Sequence, residues 1–246
     1  KNKIPEKSQN IFFFSSARTS ISAILKSHGI REKDEVVFST FTCPAVIFSV
    51  ISTGAKAVQV DINEDLTMNY SSITKAINNN TAALIIQNTE GREGLTESQI
   101  NKIKKNKKII IIEDNCLSIG SKKNNKSIGN YGDYLVESFE VSKSFTIGWG
   151  GKVTINNKNL LTNFRKYYHT LNRVNIFSDL RNFIQLYLSV ILVKNKLFGG
   201  FLIWYFLYGL KIFQSSTKED VKLYSKNIVM GRFSEALCLN LLSYIP

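Results

Sequence analysis

The eight residues KIIIIEDN at positions 108–115 decide the fold. Four consecutive isoleucines are too few and too β-branched for a buried helix, so the run reads as a strand with both faces covered. It ends on two acids. Working outward, 35–40 (EVVFST), 57–60, 82–86, 133–138 and 152–155 read as further strands. Between them lie segments with helical spacing. Ser15 and Ser16 can cap a helix carrying Ile21, Ile24 and Leu25, with Gly29 as its stop. Pro44 opens a second helix that runs through Ile51, and 71–78 and 96–105 supply two more.

Uninterrupted apolar strands separated by helices predict an α/β fold, a mostly parallel sheet covered on both sides. Ligands bind such sheets at the carboxyl ends of the strands. Thr42, Asp114, Ser138 and Lys143 all fall there.

Composition narrows the chemistry. The chain has 246 residues, of which 43% are hydrophobic, enough for one substantial core. A formal charge of +13 favours anionic ligands. A lysine-rich coding bias accounts for the same number. No strand interleaves aromatic and basic residues as RNA-binding domains do, so nucleic acid is not expected as a partner. Cys43, Cys116 and Cys238 show no CxxC spacing, which fits a reduced, cytoplasmic chain. With His28 and His169 as the only histidines, neither a histidine-rich metal site nor a Ser-His-Asp triad is expected.

Residues 183–213 differ in composition: FIQLYLSVILV, then KNK, then LFGGFLIWYFLYGL. Each apolar run is shorter than the ~20 residues of a spanning helix. The stretch is open to three readings: buried or dimer-interface helices, a membrane-docking element flanked by Lys194, Lys196 and Lys211, or a transmembrane hairpin.

The residue with most chemistry is Lys143, within SFEVSKSFTIGWGG at 138–151. A lysine there can form an imine with an aldehyde cofactor if its amine is available unprotonated. Pyridoxal phosphate would also need a carboxylate at its ring nitrogen and donors for its phosphate. Asp114 suits the first need. Ser138 and the backbone N–H groups of Arg18 and Thr19, at the start of the first helix, suit the second.

Seven segments match a known family in order: SSARTSISAIL, DEVVFSTFTCPAVI, GAKAVQVDI, TAALIIQN, IIEDNCLSIGSK, IGNYGDYLVESF and SKSFTIGWGG. On them the chain resembles the DegT/DnrJ/EryC1/StrS sugar aminotransferases, which are fold-type I pyridoxal-phosphate enzymes. The resemblance covers most of residues 11–170. VMGRFSEALCLNLL, at 229–242, resembles the family helix leading to a small C-terminal domain.

The resemblance implies a three-layer α/β/α large domain over 1–170 and, over 171–246, a helical apolar segment with the start of the passage to the small domain. Relative to the family pattern, the N-terminal segment and most of that domain are expected to be absent. Lys143 matches the Schiff-base lysine, Asp114 the ring-nitrogen partner and Ser138 the phosphate-binding serine. Arg18 and Thr19 match positions whose backbone reaches the phosphate. Arg232 falls near a position that contacts the phosphate bound by the partner subunit of a homodimer. The implied reaction moves an amino group, usually from glutamate, to a keto-sugar linked to a nucleotide diphosphate. A lysine at 143 favours transamination over the dehydration run by some relatives.

Four positions depart from the pattern. Cys43 replaces an aromatic residue over the cofactor, and Leu117 replaces the Gln or His near its phenolic oxygen. Trp149 replaces a glutamate in the GxGG turn, and Glu90 an aromatic residue before Gly91. These departures keep a second reading open: a truncated or non-catalytic homologue acting as a dimeric or membrane-docking binding protein, peripheral at the membrane through 183–213.

Overall fold

The computed structural model describes residues 9–106, 108–140, 142–194 and 229–242. A seven-stranded sheet is built from β1 (Ile11–Phe14), β2 (Glu35–Ser39), β3 (Lys56–Val60), β4 (Thr81–Gln87), β5 (Ile110–Asp114), β8 (Tyr134–Ser138) and β9 (Gly151–Ile155). A separate short hairpin pairs β6 (Lys122–Lys123) with β7 (Lys126–Ser127). The order across the main sheet is β1-β9-β8-β5-β4-β2-β3. The pairs from β8 to β3 are parallel, whereas β9 runs antiparallel to both its neighbours. The mostly parallel α/β sheet expected from the sequence is the one observed.

Helices cover both faces. One face packs α1 (Ala17–Ser27), α2 (Pro44–Ile51) and α5 (Lys158–Tyr168) over Phe14, Val36, Phe38, Ile85, Ile112 and Val136. The other packs α3 (Tyr70–Ala76) and α4 (Glu97–Asn106) over Val37, Leu84, Ile86 and Ile111. Alternate residues of each central strand are thus apolar on both sides, which is why these strands read as unbroken hydrophobic runs.

Boundaries moved where side chains cap or pair. Asn69 starts α3 by accepting from the Ser72 amide at 2.9 Å, so the helix opens before residue 71. The strand read at 108–112 runs instead through Glu113 and Asp114, which pair with Ile86 and Gln87. Both acids are therefore strand residues with fixed faces. The four-residue β1 was not among the strands read from the sequence; it closes the edge through β9, and its aromatic rings pack edge-on against Phe164 and Tyr168.

Beyond α5, α6 (Ile176–Lys194) packs on α7 (Arg232–Leu242). Asp179 of α6 is buried and accepts from the Ser234 amide at 3.3 Å and from its hydroxyl. The second half of the segment expected over 171–246 rejoins the sheet: Met230 donates its amide to the Phe13 carbonyl at 3.2 Å, and Met230 and Cys238 pack with Phe13, Phe139 and Ile147. Most of the apolar stretch 183–213 lies outside the described residues. Among the described residues, no helix is long and apolar enough to cross a membrane.

Candidate functional site

Three pieces of the fold meet at the carboxyl edge. The first is the start of α1. Ser16 caps it by accepting the Thr19 amide at 3.3 Å, while the Thr19 hydroxyl accepts from the Ser16 amide at 3.2 Å. A helix N-terminus of this kind favours an anion. β9 brings this turn to the sheet. Gly151 lies opposite Ser138 of β8, and a Cβ at Gly151 would sit 2.5 Å from the Ala17 nitrogen. Glycine is needed there because two backbones touch. Ser138 is buried beside that contact.

The second piece is the end of β5. Asp114 is 3% exposed, and its Oδ1 accepts from the Cys116 amide at 3.0 Å. Burial pushes its carboxyl above the ordinary aspartate value; hydrogen bonds from Cys116 and the charge of Lys143 oppose that rise. The Cys116 thiol is pushed well up by the same burial, with the neighbouring Asp114 charge adding to it.

The third piece is the loop after β8. Lys143 is half-buried, with its amide donating to the Glu140 carbonyl at 3.0 Å. Its charge acts on Asp114 and on Cys116. The loop returns through Gly150, whose φ of +119° suits glycine alone, to a bridge with Ser16 at the start of α1.

Asp114, Ser138, Lys143 and the first turn of α1 thus come together from four stretches of chain. Arg18 and Thr19 stand in that turn, with the Thr19 amide engaged by its cap. Cys43 is exposed at the N-cap of α2, with no side-chain capping bond. Arg232 is exposed at the first residue of α7, and no hydrogen bond or ion pair joins it to the other site residues among those described.

Sequence reasoning missed two features. Gln87 ends β4 beside Asp114, and its Oε1 accepts from the Thr42 hydroxyl at 2.7 Å. The signal was a polar residue closing the apolar run TAALIIQ. Glu137 and Lys152, opposite each other on β8 and β9, form a buried ion pair beneath α7. Nothing in their spacing announced it. Among the described residues, no group of His, Cys, Asp and Glu side chains is arranged to hold a metal ion.

A family model described as the DegT/DnrJ/EryC1/StrS aminotransferase family matches residues 7–177. The chain belongs to that family. GDP-perosamine synthase of Escherichia coli O157:H7 is 34% identical over 163 residues, covering 65% of this chain and 44% of that relative. Among solved structures, NtdA of Bacillus subtilis with bound cofactor PMP superposes with a TM-score of 0.56 at 25% identity, covering 63% of this chain and 35% of that one. DesV of S. venezuelae gives 0.57 at 25%, covering 63% and 42%. The three-layer frame of a fold-type I transferase is therefore the observed fold. The chain spans less than half the length of each of these relatives.

Proposed function

We propose that this chain carries the cofactor-binding core of a pyridoxal-phosphate-dependent aminotransferase that moves an amino group from glutamate to a nucleotide-linked keto-sugar. The product would serve surface polysaccharide or amino-sugar biosynthesis. The observation that carries the reading is the buried Asp114 carboxylate within electrostatic reach of Lys143, beside a helix N-terminus backed by Ser138.

The donor set fits the cofactor. A buried carboxylate with no cationic side chain in ion-pair contact among the described residues is matched by a protonated pyridine nitrogen. Glycine at 151 lets β9 approach the first turn of α1 without a Cβ against the Ala17 nitrogen, at a helix N-terminus that favours a phosphate. When bound, the group supplies an electron sink that stabilises a substrate carbanion. Asp114 would hold the ring nitrogen protonated, which would keep that sink strong. Ser138 and the first turn of α1 would hold the phosphate. Lys143 would hold the aldehyde end, and its amine would serve as the general base and acid that moves the substrate proton.

In this reading the enzyme acts in the cytoplasm as a homodimer, and Arg232 would contact the phosphate bound by the partner subunit. The exposed apolar residues Ile176, Phe177, Leu180 and Tyr187 of α6 offer a surface for such pairing. GDP-linked keto-sugars are the first acceptors to test, given the GDP-perosamine synthase among the relatives.

The experiment titrates purified protein with pyridoxal phosphate and follows the visible band and borohydride trapping at Lys143, then adds glutamate and reads 2-oxoglutarate. A saturable band, trapped only when Lys143 is present, supports the reading. A folded protein that gives neither band nor trapped adduct overturns it. Exposed, apolar Leu117 and the small Cys43 at the rim favour a second reading, a non-catalytic homologue. Cofactor binding without 2-oxoglutarate release from any amino donor distinguishes it.

A further inference from the structure

Gln87 is the polar residue at the carboxyl edge that the reading above leaves unused. It is 7% exposed and pairs in register with Asp114, so both side chains lie on the same face of the sheet. Two residues earlier, Ile85 and Ile112 share one core cluster on that face. The Thr42 hydroxyl donates to Gln87 Oε1 at 2.7 Å, so the oxygen end of the amide faces Thr42. The two Nε2 hydrogens are left over. No acceptor among the described residues takes them, and Nε2 is not among the atoms sealed from solvent without a partner.

Strand order says what those hydrogens face. Across the edge run β8, β5 and β4, carrying Ser138, Asp114 and Gln87 in that sequence. The phosphate cradle lies on the β8 side, where α1 and β9 meet Ser138. In pyridoxal phosphate, the phosphate arm and the phenolic oxygen sit on opposite flanks of the line from the ring nitrogen to the aldehyde carbon. With the nitrogen at Asp114 and the phosphate toward β8, the phenolic oxygen turns toward β4. Leu117, three residues after Asp114, has no hydrogen-bonding group to offer that flank.

We propose that Gln87 is a cofactor-binding residue donating from Nε2 to the phenolic oxygen of pyridoxal phosphate, with Thr42 as the positioning residue that orients it. This rests on the cofactor reading above. A neutral donor there stabilises negative charge on the oxygen, and so lowers the proton affinity of the nitrogen linking cofactor to lysine.

The test is a pH titration of the visible band of the cofactor-loaded protein, with cofactor affinity by equilibrium dialysis, for the parent, Gln87→Leu and Thr42→Val. Gln87→Leu is expected to raise the midpoint by about one pH unit, a tenfold change in proton affinity, and to weaken cofactor binding several-fold. Thr42→Val shifts the midpoint the same way by less. A midpoint unchanged in both variants, each folded by circular dichroism, overturns the assignment while leaving the cofactor reading intact. If Gln87→Leu does not fold, Thr42→Val alone decides. A folded parent that shows no band at all instead removes the cofactor reading, and this assignment with it.

Discussion

Glu113 and Asp114 are neighbours in one strand and end on opposite faces of the sheet, and the two faces treat their carboxylates differently. Glu113 is closed in by protein: it accepts from the Tyr131 amide at 2.7 Å, from the Gly132 amide, and from Asn88 Nδ2 at 3.3 Å. Asn88 also donates to Asn115 Oδ1 at 2.7 Å and accepts the Gly94 amide at 2.8 Å. Asp114, equally buried, takes the Cys116 amide and is otherwise acted on by the charge of the half-buried Lys143. Burial pushes both carboxyls up. A polar cluster whose partners are all supplied by the chain locks a loop in place; one with hydrogens and charges left over is prepared for something the chain does not contain.

That contrast breaks first at Lys143. Lys143→Ala is expected to lower transamination by at least about 10⁴-fold, since both the anchor and the proton carrier disappear, with melting temperature nearly unchanged. Amino-acid half-reaction kinetics and a thermal melt check the two halves. A residual rate within tenfold of the parent would erase the distinction between the faces.

On the closed face the effect moves to stability. Glu113→Ala orphans the Tyr131 and Gly132 amides and an Asn88 hydrogen and is expected to cost about 3 kcal/mol. Urea unfolding measures it. Asp114→Asn behaves oppositely: cofactor affinity falls roughly 10- to 100-fold, the worth of one charge-assisted hydrogen bond.

The sign of the pH dependence follows from the raised carboxyl. The folded state holds the Asp114 proton more tightly than the unfolded chain, so cofactor-free stability falls as pH rises above the ordinary aspartate value of 3.8 toward the folded one. Asp114→Asn is expected to flatten that part of the profile, read by thermal melts across pH.

The smallest effect concerns the thiols. Cys43, exposed at the rim, reacts with a thiol reagent in the native protein. Cys238 reacts only on unfolding, because burial pushes its thiol up to about 12. Protection of Cys43 by added cofactor would sharpen its placement over the site.

The strand run at 108–112, the capping serines and Pro44 were legible because each acts locally, through β-branching, a hydrogen bond within one turn or a fixed φ. Asp114, Ser138 and Lys143 were legible for a different reason: in a parallel sheet the ends of successive strands must meet at one edge. The orientation of Gln87 was not legible, since it is set by a hydroxyl at Thr42, 45 residues away in sequence. The Glu137–Lys152 pair was likewise hidden until β9 turned antiparallel to β8 and laid the two side by side.

By itself, then, the sequence determined the alternation of strands and helices, the edge at which chemistry is placed and the residue types that stand there, all consequences of local backbone preference and chain order. Only the tertiary structure decided which carboxylate of the Glu113–Asp114 pair has its hydrogen bonds filled by the chain and which accepts a single backbone amide. That choice depends on what the loops at 88–94 and 128–132 bring to one face and what Thr42 and Lys143 bring to the other, and such long-range pairings leave no trace in the spacing of residues along the chain.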